Sequence, residues 1–194
     1  MYASPTLSET GRRSHESFRT LMNAMAQPGR IQTLKSDLDV PQPLTPATAA
    51  LLLALSDFET SIWLDQTLRD GPEISAFLRF HTGSKLVVEP DAADFAVIAA
   101  PRAMPRLQAF AQGTLAYPDR STTVIVQVET LKTDGWQLTG PGIRSVNQFS
   151  ADPLPDDFVA QLNGQAFPCG VDVVFVADPG IAALPRSIRI SEAS

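Results

Sequence analysis

An apolar stripe at helical spacing is the first strong pattern along the chain. Its members recur at positions i, i+3, i+4 and i+7: Phe18, Leu21, Met22 and Met25. This spacing predicts a helix that begins at Ser14 and buries the stripe, and the Pro28-Gly29 pair ends it. Residues 1–13 are small and polar without periodicity, so they predict a loose N-terminal arm.

Two more helices are predicted in the first half of the chain. One spans 45–55, carries Pro46 in its first turn, and is apolar nearly all round, as in a buried helix. The other begins at Pro72 and ends before Gly83, a residue suited to a left-handed cap. Its apolar face again follows helical spacing: Ile74, Phe77, Leu78 and His81. The same spacing predicts that His81 lies on the buried side.

Strands are predicted where short apolar runs are bounded by turn residues. The runs are 60–64, 95–99, 122–130, 171–177 and 183–190. Residues 132–135 predict a turn into a hairpin partner over 136–139, and 105–112 predicts a weak helix. Pro155 opens a last helix, which ends at Asn163-Gly164. The final run, 183–190, is expected to be one edge strand.

Strands that alternate with helices predict an α/β fold, with a single domain over residues 14–194 and a mixed β-sheet flanked by helices. A net charge of -6 gives no basic footprint for nucleic acid or an anionic membrane. No apolar run is long enough to span a bilayer. The single cysteine, Cys169, excludes an internal disulfide and predicts a cytoplasmic protein.

Familiar catalytic and metal-binding motifs are absent from the sequence. Residues 139–142 contain two glycines after a strand, but they have no lysine and open no helix, so they predict a simple turn. No serine lies in a GxSxG elbow, and His15 and His81 lack metal-ligand spacing. Cys169 is better explained as a small buried residue than as a nucleophile.

Four residues form the candidate anion or ligand site: Arg79, His81, Asp172 and Arg186. The planar guanidinium groups of the two arginines suit a phosphate or phosphonate. The imidazole and the carboxylate would add an orienting acid to such an anion site. A structural explanation competes for each residue and is favoured. Asp172 inside an apolar strand is explained by capping of a nearby loop or by ion pairing with an arginine such as Arg186, and His81 is explained by a helix C-terminus that attracts a cation. Asp57, after the second helix, has the same two interpretations.

Several blocks of the sequence together carry a family resemblance. They are 17–29 (SFRTLMNAMAQPG), 47–64 with its Leu55-Ser56-Asp57, 78–82 (LRFHT), 138–143 (LTGPGI), 167–174 and Leu184-Pro185-Arg186. On these blocks the chain resembles the PhnH family, the H subunit of the bacterial carbon-phosphorus lyase system. The blocks follow one another in order over most of the chain, while residues 1–13 and 84–94 contribute little.

The resemblance implies a homodimeric, cofactor-free subunit that acts with G, I and J partners. The complex would convert an alkylphosphonate and ATP into a ribose 1-alkylphosphonate 5-triphosphate, and ATP or the phosphonate is then a ligand to consider for this subunit. The resemblance also implies a truncated pyridoxal-phosphate transferase fold without that cofactor. Independently, Lys35, Lys85 and Lys132 lie in predicted loops or after a helix cap, so none suits a Schiff base. The resemblance assigns no catalytic residue.

Two alternatives remain open on sequence grounds. The first is a stand-alone enzyme that acts on a phosphorylated metabolite through the four candidate residues. The second and weaker alternative is a small pyridoxal-phosphate enzyme. A structure that shows whether the four candidate residues converge on one concavity or disperse is the most informative test.

Overall fold

Two β-sheets organise the computed structural model, which describes residues 9–191. The described strands, numbered in chain order, are β1 Gln32–Thr33, β2 Ser61–Leu64, β3 Lys85–Val87, β4 Phe95–Ile98, β5 Thr123–Gln127, β6 Thr130–Thr139, β7 Asn147–Asp152, β8 Asp172–Ala177, β9 Gly180–Leu184 and β10 Arg189–Ser191. The larger sheet has the order β1-β9-β8-β5-β4-β2-β3, and the smaller has the order β10-β6-β7. From β8 to β3 the large sheet is parallel, while β9 and β1 join antiparallel.

Helices cover one face of the large sheet, and the small sheet covers much of the other. The described α-helices are α1 Glu9–Ala26, α2 Pro46–Leu55, α3 Gln66–Arg69, α4 Pro72–Thr82 and α5 Phe158–Asn163, with 3-10 turns at Pro90–Ala92, Pro101–Ala103 and Leu107–Ala109. Residues of α1, α2, α3 and α4 pack in one apolar core with Val174 and Val176 of β8. The intervening Val173 and Phe175 pack in a second core with the small sheet and α5.

Burial of both sheet faces explains why the central strands lack a polar and apolar alternation. In β8 and β5, Val173, Val174, Val124 and Ile125 are all inaccessible to solvent although successive side chains point to opposite faces. A parallel sheet covered on both sides requires such continuous apolar runs. The predicted α/β class with a mixed sheet flanked by helices is therefore confirmed, as are the predicted strands in 60–64, 95–99 and 171–177.

The N-terminal prediction is wrong in two respects. Helix α1 begins at Glu9 rather than Ser14, and Arg13 in its early turns pairs with Asp37 on the segment that follows β1. Residues 1–8 of the predicted arm lie outside the described residues. The predicted buried stripe is only half right: Leu21 is buried and Met25 packs on the core, whereas Phe18 and Met22 are exposed and Ala24 is buried instead. Small side chains face inward here because α1 packs closely on α2 and β9.

Helix α4 ends as predicted, but His81 lies on its exposed side. Gly83 caps the helix in the left-handed conformation at φ 71°, and its amide donates to the carbonyl of Arg79. Only Ile74 and Leu78 of the predicted face are buried. The prediction of a buried His81 is wrong because the last turn of the helix carries that position beyond the packed surface.

The hairpin and the C-terminal strand also differ from the predictions. Residues 130–139 form one strand whose register with β7 shifts between Lys132 and Trp136, so the predicted turn at 132–135 is a bulge within β6. The true reversal contains Gly142, at φ 84°, where a Cβ would collide with the carbonyl oxygen of Ala26. The run 183–190 divides after Leu184, because a turn at 185–188 carries the chain from the large sheet to the small one. The weak helix predicted at 105–112 is only a 3-10 turn.

The carboxyl ends of β2 and β4 are joined by the side chain of Asp65, which is only 6% exposed. Its Oδ1 accepts a hydrogen bond from the amide of Leu68 at 3.0 Å and caps α3. Its Oδ2 accepts from the amides of Ala99 and Ala100, both at 2.8 Å. One carboxylate thus accepts from three backbone amides that neither the sheet nor the first turn of α3 supplies with a partner.

Replacement of this carboxylate should be costly. Asp65→Ala is expected to lower the free energy of unfolding by about 3 kcal/mol, since it leaves three amide groups without their acceptor. Urea unfolding measures the change, with the exposed Asp70 as a matched control at the other end of α3. Asp70→Ala should change the stability by no more than about 0.5 kcal/mol. Equal losses in the two variants would contradict the role assigned to Asp65.

Candidate functional site

The four candidate residues occupy two separate places. Arg79 and His81 lie on the last turn of α4, which leads into β3. Asp172 begins β8, and Arg186 follows β9. In the order of the large sheet, β8 and β3 are four strand spacings apart, or roughly 19 Å. The structure therefore does not bring the four side chains together in one anion site.

Asp172 and Arg186 form a partly buried ion pair, which is one of the structural explanations that the sequence offers for Asp172. The Arg186 Nη2 lies 2.6 Å from Asp172 Oδ2, and each side chain is 15% exposed. The Arg186 Nε and the Arg186 amide both donate to Asp172 Oδ1, at 3.2 and 2.8 Å. A further donor, Arg186 Nη1, reaches the carbonyl of Pro118 at 2.7 Å. The guanidinium is thus engaged by a carboxylate and a carbonyl of its own chain.

The surroundings of His81 are aromatic rather than charged. Its ring centroid lies 4.4 Å from that of Phe77 and 5.0 Å from that of Phe80. His81 also lies at one end of a groove of about 1110 Å³ between α1, α2 and residues 33–38. The Arg13–Asp37 ion pair bridges two walls of this groove. The groove therefore mixes acidic and basic groups and has no excess of cations typical of an anion site.

The usual ligand position of an open α/β sheet is occupied by protein side chains. Such sheets bind ligands at the carboxyl ends of strands where the strand order reverses, which here is between β2 and β4. Asp65 fills that crevice through its three hydrogen bonds. Beyond it, Gln127 at the end of β5 accepts from the Thr45 amide at 2.8 Å and donates to the Pro43 carbonyl at 2.9 Å. Loop 41–45 is thereby held by a strand-end side chain.

Three further candidates have local structural roles or no defined partner. Asp57 is exposed, and its Oδ1 accepts from the Glu59 amide at 2.9 Å and from the Thr60 hydroxyl at 3.0 Å. Cys169 is a partly buried free thiol. Residues 140–143 form the predicted turn, closed by the Ile143 amide on the Gly140 carbonyl. Among the described residues, no group of three or more His, Cys, Asp or Glu is placed to hold a metal ion.

Two features escaped the sequence reasoning. Asp65 stands between a predicted strand and a helical segment, and this position is a recognised helix-cap signal. The second is a concavity of about 550 Å³ near the start of β8, lined by Phe167, Pro168, Asp172 and Arg186. Local sequence gives no signal for it, because its walls come from segments far apart in the chain.

The Asp172–Arg186 pair should be coupled in stability. Asp172→Asn and Arg186→Leu should each destabilise the fold by about 3 kcal/mol, because each leaves a mostly buried charge without its partner. The double variant should lose distinctly less than the two single losses combined. Urea unfolding of all four proteins measures this coupling, and additive losses would contradict a paired role.

Asp57 should contribute a pH-dependent part of the stability. Hydrogen bonds from the Glu59 amide and the Thr60 hydroxyl lower the pKa of Asp57. A group with a lowered pKa in the folded state stabilises the fold above its unfolded pKa, and this contribution is lost as the pH falls through the folded pKa. Wild-type stability should therefore exceed that of Asp57→Ala at neutral pH, with a gap that narrows on acidification. Urea unfolding across the carboxyl range checks this, and a constant gap would contradict it.

Comparison with known proteins gives matches over nearly the whole chain. A model of the family described as bacterial phosphonate metabolism protein (PhnH) matches residues 5–191. A protein of Rhizobium meliloti (strain 1021), named alpha-D-ribose 1-methylphosphonate 5-triphosphate synthase subunit PhnH, is 37% identical over 89% of this chain and 88% of its own. A protein of Stutzerimonas stutzeri, named putative C-P lyase subunit protein HtxG, is 28% identical over 92% of this chain and 86% of its own.

No described helix is long and apolar enough to cross a membrane. The family model extends over the described sheets and helices alike. On this evidence the chain belongs to the PhnH family of bacterial phosphonate metabolism proteins.

Proposed function

We propose that this chain is a subunit of the carbon-phosphorus lyase complex. In that complex it acts with G, I and J partners in forming a ribose 1-alkylphosphonate 5-triphosphate from ATP and an alkylphosphonate. The observation that carries the proposal is the 37% identity, over 89% of the chain, with a relative named as a subunit of ribose 1-methylphosphonate 5-triphosphate synthase. The relative named as a putative C-P lyase subunit supports the same assignment.

In this proposal the subunit contributes through association and not through turnover of its own. The dispersal of Arg79 and His81 from Asp172 and Arg186 supports it, because a stand-alone anion site would need them together. The lysines support it as well, since Lys35, Lys85 and Lys132 are all exposed and a Schiff-base lysine is desolvated. The proposal includes a cytoplasmic homodimer, which needs no disulfide from the single Cys169.

The finer fold assignment is part of the same proposal. We assign the domain as a truncated pyridoxal-phosphate transferase fold that lacks the cofactor. Its support is a largely parallel sheet whose crevice between β2 and β4 holds Asp65 where a ligand would lie. Exposure of all three lysines agrees with a fold that has no attachment point for a cofactor.

Direct binding of ATP or of the phosphonate is a second candidate role. The groove of about 1110 Å³ favours it, because it is large enough for a nucleotide and includes Arg13, Lys35 and His81 among its lining residues. The acidic Glu16 and Asp37 in the same lining weigh against a polyanion. Subunit association therefore remains the primary proposal.

Reconstitution tests the primary proposal. The chain is co-expressed with the G, I and J subunits of its own organism, and one partner carries the affinity tag. We expect the chain to co-elute with the partners, and conversion of ATP and methylphosphonate by the complex to fall at least tenfold when the chain is omitted. Absence of co-elution, or full activity without the chain, would contradict the proposal.

A thermal-shift measurement on the isolated chain separates the two roles. Ligand that binds only the native state raises the melting temperature, by several degrees at a concentration of about 100 Kd. The association role predicts no shift with ATP or methylphosphonate, whereas a shift abolished by Lys35→Ala would favour the groove as a ligand site. Lys132→Ala, at an exposed lysine in β6, is the matched control.

A further inference from the structure

Large exposed apolar side chains gather around the concavity at the start of β8. Phe167 lines it and is 61% exposed, and the loop 113–121 borders it through Pro118 and Asp119. The same loop presents Leu115 at 80% exposure and Tyr117 at 54%. We call the exposed group formed by Leu115, Tyr117 and Phe167, together with Phe18 and Met22 of α1, the Phe167 surface.

Helix α1 extends this surface along one side. Met25 and Ala26, at the end of the helix, line the concavity. Phe18, Met22 and Ala26 are spaced by four residues and therefore follow one another along the same helix face. Phe18 is 44% exposed and Met22 is 42% exposed. Exposed apolar patches mark interaction sites in soluble proteins, and this face supplies several such side chains beside the concavity.

The charges at the base of the concavity are already neutralised within the chain. Arg186 makes its 2.6 Å ion pair with Asp172 and donates to the carbonyl of Pro118. An occupant of the concavity therefore gains no net charge interaction from its base. Apolar side chains fit such a pocket better than charged groups, whose desolvation would not be compensated.

Three exposed arginines lie next to, or two residues from, residues of the Phe167 surface or of the concavity lining in the sequence, although the chain as a whole has a net charge of -6, and we call them the basic rim. Arg120 is exposed, follows Asp119 directly, and its guanidinium lies 4.5 Å from the ring centroid of Tyr117. Arg144 is exposed and lies two residues beyond Gly142, which lines the concavity. Arg19 is exposed beside Phe18 on α1. Asp119 offsets only part of this positive charge.

We propose that the Phe167 surface docks another subunit of the carbon-phosphorus lyase complex, through an apolar protrusion flanked by carboxylates. The apolar part fills the concavity against Phe167, and the carboxylates meet Arg120 and Arg144. Charge complementarity selects this occupant, because the neutral base takes apolar groups while the basic rim takes acidic ones. The inference rests on the proposed function and adds to it the surface and the chemistry of the partner.

A second exposed aromatic group provides a matched control. Phe80 of α4 is 84% exposed and Phe58 is 69% exposed, and both lie near Gly83 at the far side of the sheet. The acidic Asp57 and Glu59 flank Phe58 while the basic Arg79 precedes Phe80, so this group has mixed charge in place of the basic rim of the Phe167 surface. Phe80→Glu therefore introduces the same charge at a phenylalanine that is more exposed than Phe167 and lies outside the proposed interface.

The test uses the full chain co-expressed with tagged G, I and J subunits. Phe167→Glu and Leu115→Glu are expected to lower co-elution at least tenfold, while Phe80→Glu retains the wild-type level. Arg120→Glu should weaken association and reduce its sensitivity to salt, because a rim charge contributes through screened attraction. Thermal unfolding of each variant verifies the fold, which substitution at exposed positions should leave intact.

Each outcome of the test has a defined meaning. If wild type co-elutes and all four variants do so equally, the Phe167 surface is not the docking site and the inference fails while the proposed function stands. Loss of co-elution in Phe80→Glu alone would place the interface on α4 and would also overturn the inference. If the isolated chain is a dimer by light scattering and Phe167→Glu makes it monomeric without reducing co-elution, the occupant is a second copy and the inference is wrong. Failure of wild type to co-elute would overturn both proposals.

Discussion

Asp65 accepts hydrogen bonds from three backbone amide groups at the point, between β2 and β4, where the strand order of the large sheet reverses. A parallel sheet needs crossover connections, and the loops at its carboxyl ends carry amide groups that no strand can satisfy. In many α/β proteins those groups hold a phosphate or a cofactor. Here the chain supplies its own carboxylate, so the crevice contributes to stability. Gln127 at the end of β5 acts in the same way, since its side chain bonds the loop 41–45.

The same physical logic applies at the opposite ends of the strands. Arg186 is the type of residue that recognises phosphates, yet its three donor nitrogens are directed at Asp172 and at the Pro118 carbonyl. Its role is to fasten the loop 113–121 and the segment after β9 to the start of β8. Two large apolar side chains near this ion pair, Phe167 and Leu115, are exposed to solvent. The Arg186 guanidinium is thus satisfied by groups of its own chain, while the apolar Phe167 and Leu115 beside it remain exposed.

The sequence was informative wherever local patterns govern structure. Residues Pro46, Pro72 and Gly83 predicted helix ends correctly, because their backbone preferences act within one turn. A partner for Asp172 was predictable because a carboxylate in an apolar strand must be ion-paired or hydrogen-bonded, and Arg186 was one of the partners that the sequence offered. His81 was misplaced because helical spacing identifies a face but not how far the neighbouring elements cover it. The division of 183–190 between two sheets was also missed, since a change of sheet depends on long-range packing.

Native-state hydrogen exchange tests most directly whether the chain itself fills the crevice between β2 and β4. The amides of Leu68, Ala99 and Ala100 are the measured groups, with the β5 amide of Ile125 as the reference for the core. The account predicts that the three amides exchange nearly as slowly as Ile125 in the isolated chain without any added ligand, and that Asp65→Ala releases them selectively. Exchange at rates typical of open loops in the wild-type chain, or protection only after addition of a phosphate compound, would contradict it.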